Sequence, residues 1–321
     1  MPEPIVVSWS GGKDSALALA ALAAAPEWEV VGLLTTVTAG HDRISMHGVR
    51  RALLHAQAAA IGLPLIEVVI PPAASNGVYE TAMGEAFDRL RDGLQLRSPL
   101  PRLCGGEGRG EGASGHPSEM SVGSFPGFQK CNKDGEPFAS HSVRDSAATG
   151  SISPLTLTLS PAKPGERGPS VAGAETLDPP DIHSRGVAHV AFGDLYLADI
   201  RAYRERLVAK HGLAPVFPVW GRDTRELADE FIARGFVAHL VCIDPRALDE
   251  SFAGRRFDFE LLADLPAHVD PCGENGEFHT FVSDGPLFSR PVPVEPGKIV
   301  RRDSFVFRDL VLNTQIPNEV K

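Results

Sequence analysis

The stretch Ser10-Gly11-Gly12-Lys13-Asp14-Ser15 constrains this chain more than any other. It follows a compact apolar run, Ile5-Val6-Val7-Ser8-Trp9, and opens into an alanine- and leucine-rich segment, Ala16 to Ala25. Length and residue type read the first run as a buried strand and the second as a helix. A strand, a glycine turn and a helix in that order make an anion trap. The glycines let the backbone approach a phosphate, and the unpaired N–H groups at the helix start point at it. Lys13 adds a mobile positive charge, while Ser10 and Ser15 add hydroxyl donors. The spacing is neither Gly-x-x-x-x-Gly-Lys-Ser/Thr nor Gly-x-Gly-x-x-Gly, which sets two better-known nucleotide loops aside.

Strands and helices then alternate. Glu29–Val37 and Pro64–Ile70 read as strands, Val49–Ile61 and Asn76–Leu90 as helices, with Gly62 placed as a C-terminal cap. The polar segment from Gly40 to Gly48, which contains His47, is too long for a tight turn. This rhythm predicts an α/β fold, a doubly wound and mainly parallel sheet, with its ligand beyond the carboxyl ends of the strands where the Ser10 loop falls.

From Leu94 to Arg185 the periodicity disappears. Of these 92 residues, 37 are Gly, Pro or Ser, too many breakers for a packed layer. The segment is expected to be a long disordered insertion. Alternation resumes with strands at Val187–Phe192, Ala214–Trp220 and Phe236–Ile243, and helices at Leu197–Lys210, Asp223–Arg234 and Phe257–Leu265. Gly193-Asp194 sits at the end of the first of these strands, and Pro291–Leu312 reads as a terminal hairpin or sheet edge. The expected division is a nucleotide-binding domain at 1–93 with 186–196, the insertion at 94–185, a smaller α/β substrate domain at 197–290 and a β-rich tail at 291–321.

Composition limits the function classes. Mean hydropathy is -0.06, and no apolar run approaches the ~20 residues of a membrane span. No secretion signal is expected at the start. The four cysteines, Cys104, Cys131, Cys242 and Cys272, lack metal-ligand spacing, which favours free thiols and a cytoplasmic location. A formal net charge of -10 speaks against broad nucleic-acid binding.

The second chemically loaded stretch is Asp270-Pro271-Cys272-Gly273-Glu274-Asn275-Gly276-Glu277-Phe278-His279-Thr280. Its carboxylates suit magnesium binding, orientation of ammonia or proton transfer. Ser-Gly-Gly-Lys-Asp-Ser resembles the pyrophosphate loop of the ATP pyrophosphatases. Together with Gly193-Asp194 ahead of Asp199-Ile200-Arg201, and with Cys272 to Phe278, it resembles the diphthine–ammonia ligase family over nearly the whole chain outside 94–185. Asn275 and His279 depart from that family, some of whose members carry a second glycine and an acidic residue there.

The resemblance implies an adenine nucleotide α-hydrolase-like first domain, ATP and Mg²⁺ as cofactors, ammonia as a substrate, and a carboxylate acceptor. The acceptor would be diphthine on elongation factor 2 in an archaeal or eukaryotic source. It also implies roles. Ser10, Gly11, Gly12, Lys13, Asp14, Ser15, His47, Gly193 and Asp194 would bind the nucleotide, with Asp14 also on Mg²⁺; Lys13, Asp14, Glu274 and Glu277 would serve catalysis. Arg201 reads as a helix-surface charge, and Trp220 and Tyr196 as core residues. Two other readings stand beside this one: an RNA-modifying, thiolation-type enzyme relaying sulfur through Cys242 and Cys272, and a non-enzymatic adenine-nucleotide-binding protein.

Overall fold

Strand β1 (Glu3–Ser8) sends Ile5 and Val7 into one core and Val6 into another, all fully buried. Only a central strand covered on both faces has that pattern. The structure is a computed structural model that describes residues 1–40, 43–44, 48–93, 186–302 and 304–313, so the expected insertion at 94–185 lies outside the described residues. Strands β2 (Trp28–Thr38) and β5 (His189–Ala191) flank β1 in parallel. Strand β4 (Leu65–Ile70) pairs in parallel with β2, and β6 (Ala214–Val216) with β5. A two-residue antiparallel strand, β3 (Arg43–Ile44), pairs with Val37 and Thr38, beyond the point where β1 stops.

The parallel order is therefore β4-β2-β1-β5-β6. From β1 the chain steps outward to β2 and β4, then returns to β5 and continues the opposite way. Such a reversal opens a crevice beyond the carboxyl ends of β1 and β5. Helices α1 (Lys13–Ala23) and α2 (Arg51–Ile61) pack into the first core through Leu17, Leu22, Leu53 and Leu54. Helices α3 (Asn76–Arg91) and α4 (Ala198–Lys210) pack into the second through Met83, Phe87, Leu207 and Val208. The sheet is thus doubly wound.

Two local departures have simple causes. Strand β6 ends at Val216 rather than at Trp220, because Pro218 has no N–H for the ladder and the chain turns from Phe217 to Trp220. The terminal hairpin, β9 (Val294–Arg302) with β10 (Phe305–Leu312), is no isolated tail. Strand β10 also pairs with β7 (Val237–Ile243), and β7 with β8 (Phe278–Asp284), giving an antiparallel sheet ordered β8-β7-β10-β9. Helices α5 (Thr224–Ala233) and α6 (Phe259–Asp264) accompany it, capped by Asp223 and Asp258, whose carboxylates accept the N–H of Glu226 and Leu261. Phe231, Phe236, Phe257, Phe278 and Phe281 of this half share one core with Trp9, Leu17 and Leu53 of the first.

The chain leaves the described fold at Gly93 and re-enters it at Gly186, side by side: the Val187 N–H donates to the Leu90 carbonyl at 2.9 Å. Among the described residues no helix is long and apolar enough to cross a membrane.

Candidate active site

The glycine turn sits where β1 meets α1. Gly11 adopts φ +77°, a left-handed conformation that favours glycine. Its carbonyl accepts from the backbone N–H of Val282 on β8 at 2.9 Å and from Gln57 Nε2 at 3.0 Å. The next peptide along is also tied to β8, since the Lys13 N–H donates to Thr280 Oγ1 at 3.1 Å. Ser15 Oγ donates to the Gly12 carbonyl at 2.9 Å and lies 3.2 Å from Ser10 Oγ. From the other side comes Gly193, just past β5. A Cβ there would stand 2.7 to 2.9 Å from the backbone atoms of Asp14 and Ser15. Glycine at 193 thus lets two backbones meet at the switch point. The residues expected around a phosphate, Ser10 to Ser15 with Gly193 and Asp194, are together.

The charges gather around Lys13. Its side chain is 3% exposed, and Nζ donates to both Asp14 oxygens at 2.7 and 2.9 Å. Burial alone pulls its pKa down, but the Asp14 charge and that hydrogen bond outweigh it and hold the ammonium above its usual range. Glu274 reaches in from the acidic loop, where its Oε1 accepts the Leu195 N–H at 2.9 Å. Burial first, then the nearby Asp14 charge, push its carboxyl up to about 7. Asp194 is raised too, by burial and less by Asp14, with Arg204 opposing. One of its buried oxygens, Oδ2, lacks a hydrogen-bond donor, and the Arg204 Nε stands 3.7 Å away.

Glu277 is buried within the acidic loop itself. Its Oε1 accepts from the Asp270 N–H and from Asn275 Nδ2, while Oε2 is buried with no hydrogen-bond partner. Asp270 pins the same loop by accepting the N–H groups of Cys272 and Glu274 and the Thr224 hydroxyl. Tyr196 is not a core residue: it is 38% exposed, and its hydroxyl donates to Asn275 Oδ1 at 3.1 Å. Arg201 lies 4.7 Å from the ring centres of both Phe217 and Trp220, which makes Trp220 an arginine-stacking residue. His47 lies outside the described residues.

Thr280 closes the chemically loaded stretch without a role of its own there, and two participants escape a sequence reading altogether: the Leu195 N–H and Gln57. The last carried a weak signal, as a lone amide on the buried side of α2 among Leu53, Leu54 and Ala58.

The donor set fits a polyphosphate with a hard cation. Asp14, Asp194 and Glu274 offer oxygen ligands only, beside the Lys13 ammonium and with Arg204 against Asp194, and a divalent ion between these carboxylates and an anionic ligand would offset their mutual repulsion. Among the described residues no three His, Cys, Asp or Glu form a metal cluster on their own. A magnesium ion with one or two carboxylates and phosphate oxygens for its remaining ligands needs no such cluster.

Two family models match this chain. The diphthamide synthase N-terminal domain covers residues 4–91 and the diphthamide synthase C-terminal domain covers 223–309, together more than half of the chain. Among curated relatives, the diphthine–ammonia ligase of Bos taurus is 29% identical over 119 residues, 35% of this chain and 44% of that protein. That of Homo sapiens gives the same figures, and that of Danio rerio is 30% identical over 128 residues, 37% of this chain and 48% of its own length. The chain thus spans under half the length of these relatives.

Proposed function

Because this chain belongs to the diphthamide synthase family, we propose that it is an ATP-dependent ligase that joins ammonia to a carboxylate. The observation that carries the reading is the buried Lys13 at the mouth of the glycine turn, paired with Asp14 and within the field of Glu274, with Asp194 close to both carboxylates. A carboxylate resists attack by ammonia because it is anionic and has no good leaving group. Attack of its oxygen on the α-phosphorus of ATP forms an acyl-adenylate and releases pyrophosphate. Ammonia then attacks the acyl carbon, the C–O bond to AMP breaks, and the amide forms with loss of a proton.

Each step assigns work to residues of this chain. Lys13, the hydroxyls of Ser10 and Ser15 and the backbone of Gly11 and Gly12 bind the phosphates and stabilise the charge that builds on the departing pyrophosphate. Gly193 lets the β5 end close on them, and Asp194 holds the nucleotide side of the crevice. Asp14, with Asp194 or Glu274 beside it, would hold Mg²⁺, which when bound offsets phosphate charge. Glu274, with its carboxyl at about 7, suits the exchange of a proton with ammonium near neutral pH. Glu277 shapes the loop that presents Glu274. The acceptor class is a carboxylate, and the relatives' name points to diphthine on a protein. The sulfur-relay alternative draws no support, since burial pushes both the Cys242 and the Cys272 thiol up to about 12.

The test is release of pyrophosphate and AMP from ATP with Mg²⁺, ammonium and candidate acceptors, diphthine-bearing elongation factor 2 among them. AMP formation that needs both acceptor and ammonium is expected. Lys13→Ala should reduce it by a factor of roughly 10² to 10³ with the fold intact. ADP as product, or an unimpaired Lys13→Ala variant, would overturn the reading.

A further inference from the structure

We infer that Gln57 is a positioning residue for the phosphate loop, setting the loop's donors and locking them to β8; this rests on the loop's role proposed above. Gln57 has no exposed surface, an expensive place for an amide unless every group on it is bonded. Its bonds reach three segments far apart in sequence. Oε1 accepts the Trp9 indole N–H at 3.1 Å, while Nε2 donates to the Gly11 carbonyl at 3.0 Å and to the Val282 carbonyl at 2.6 Å. Val282 returns its own N–H to the Gly11 carbonyl at 2.9 Å. One side chain thus holds the end of β1, the turn and the second sheet in a single arrangement.

The arrangement has a direction. A trans peptide is planar, so its C=O and N–H point opposite ways. With the Gly11 carbonyl drawn toward Gln57 and β8, the Gly12 N–H of the same peptide must face away from them, toward Ser10 Oγ, which it meets at 3.3 Å. That is the side on which the Ser10 and Ser15 hydroxyls gather. Gln57 therefore selects the peptide orientation that presents a backbone donor to a bound phosphate. Gly11 is part of the same fit, because a Cβ there would come within 2.7 Å of Gln57 Oε1. Gln57 stands behind the loop and acts through it.

The test compares four proteins: the unsubstituted chain, Gln57→Met, Gln57→Glu and Leu207→Ala. Methionine keeps the length of glutamine and removes its donors. Glutamate keeps the acceptor for Trp9 but turns a second oxygen toward the Gly11 and Val282 carbonyls. Leu207→Ala is destabilising in the opposite core and controls for stability alone. Binding of Mg·ATP is measured by calorimetry, and amide exchange is followed over residues 9–15 and 280–283. Both Gln57 variants should weaken Mg·ATP by about tenfold or more, as expected for a misaimed donor. Exchange should quicken in both segments together and beyond what Leu207→Ala causes through its loss of stability, while Leu207→Ala leaves the Mg·ATP affinity unchanged. Trp9 emission should shift in Gln57→Met more than in Gln57→Glu. Unchanged affinity in both Gln57 variants, or exchange that quickens no more than in Leu207→Ala, would overturn the inference. If the unsubstituted chain fails to bind Mg·ATP, the phosphate-loop reading fails, and the exchange data alone decide whether Gln57 ties the turn to β8.

Discussion

Gly193→Ala offers a sharp steric test of the crevice. Gly193 is not among the positive-φ glycines, so alanine carries no backbone penalty of its own there. What it adds is one methyl, placed 2.7 Å from the Asp14 carbonyl carbon, 2.8 Å from its oxygen and 2.9 Å from the Ser15 nitrogen. These are backbone atoms, and no flexible side chain can swing aside. Restoring an ordinary separation of about 3.4 to 3.5 Å requires the β5 end and the start of α1 to part by roughly 0.7 Å. Overpacking of this size costs about 1–3 kcal/mol. A shift approaching 1 Å in a positioning element weakens function by roughly 10- to 100-fold.

Urea unfolding and Mg·ATP titration read the two quantities. Gly77→Ala is the internal contrast. That glycine lies in the first turn of α3, with nothing nearer its would-be Cβ than Ser75 Oγ at 4.0 Å. There the same methyl should stabilise the fold by up to about 1 kcal/mol. Equal effects at the two positions, or a Gly193→Ala protein with unaltered stability and affinity, would refute the close-approach argument.

Two further outcomes follow from ion pairs other than Lys13 with Asp14. The Glu67 carboxyl is pushed up by burial, but hydrogen bonds from His55 and Arg51 outweigh this and bring it to about 2, against 4.5 without such neighbours. A depressed carboxyl stabilises the fold above its unfolded value, and that stability is lost as pH falls from 4.5 toward 2. Discounted for the partly exposed Arg51 and His55, the contribution is about 1–2 kcal/mol, and Glu67→Gln should flatten the acid limb of a urea-stability profile by that amount. Asp309 on β10 accepts hydrogen bonds from Arg43 and Arg50, so Asp309→Ala removes the acceptor that ties both arginines to β10, while Arg43 keeps its bond to the Gly48 carbonyl; a loss of about 1–2 kcal/mol is expected in thermal unfolding, and none would show the pairs to be solvent-screened.

Much of the first half was legible from local signals. The run Ile5 to Trp9, the glycine turn and the alanine-rich helix need no distant partner to declare themselves, and Gly62 ends α2 at φ +82° as a cap should. The acidic loop and Gly193-Asp194 were legible as chemistry, though residue types gave no reason for them to meet. Gln57 was not, because its meaning depends on Val282, 225 residues away. Tyr196 misled for a related cause: an aromatic ring suggests a core, yet its hydroxyl finds a surface partner in Asn275. Strand β8 hid behind a polar, glycine-rich stretch and shows its burial only once β7 lies beside it.

The phenylalanine-rich core has a consequence for how this chain can vary. Phe231, Phe257, Phe278 and Phe281 share one packed volume with Leu17 of α1 and Trp9 at the end of β1. Close-packed interiors transmit a change in volume to their neighbours. A substitution that merely repacks the antiparallel sheet therefore also moves the floor beneath Lys13. The two family-matched portions are free to diverge in sequence, but not independently: each tolerated change in one narrows what the other accepts. Compensating pairs across this core, between residues on α1 and on β8, are where drift in one half must be answered in the other.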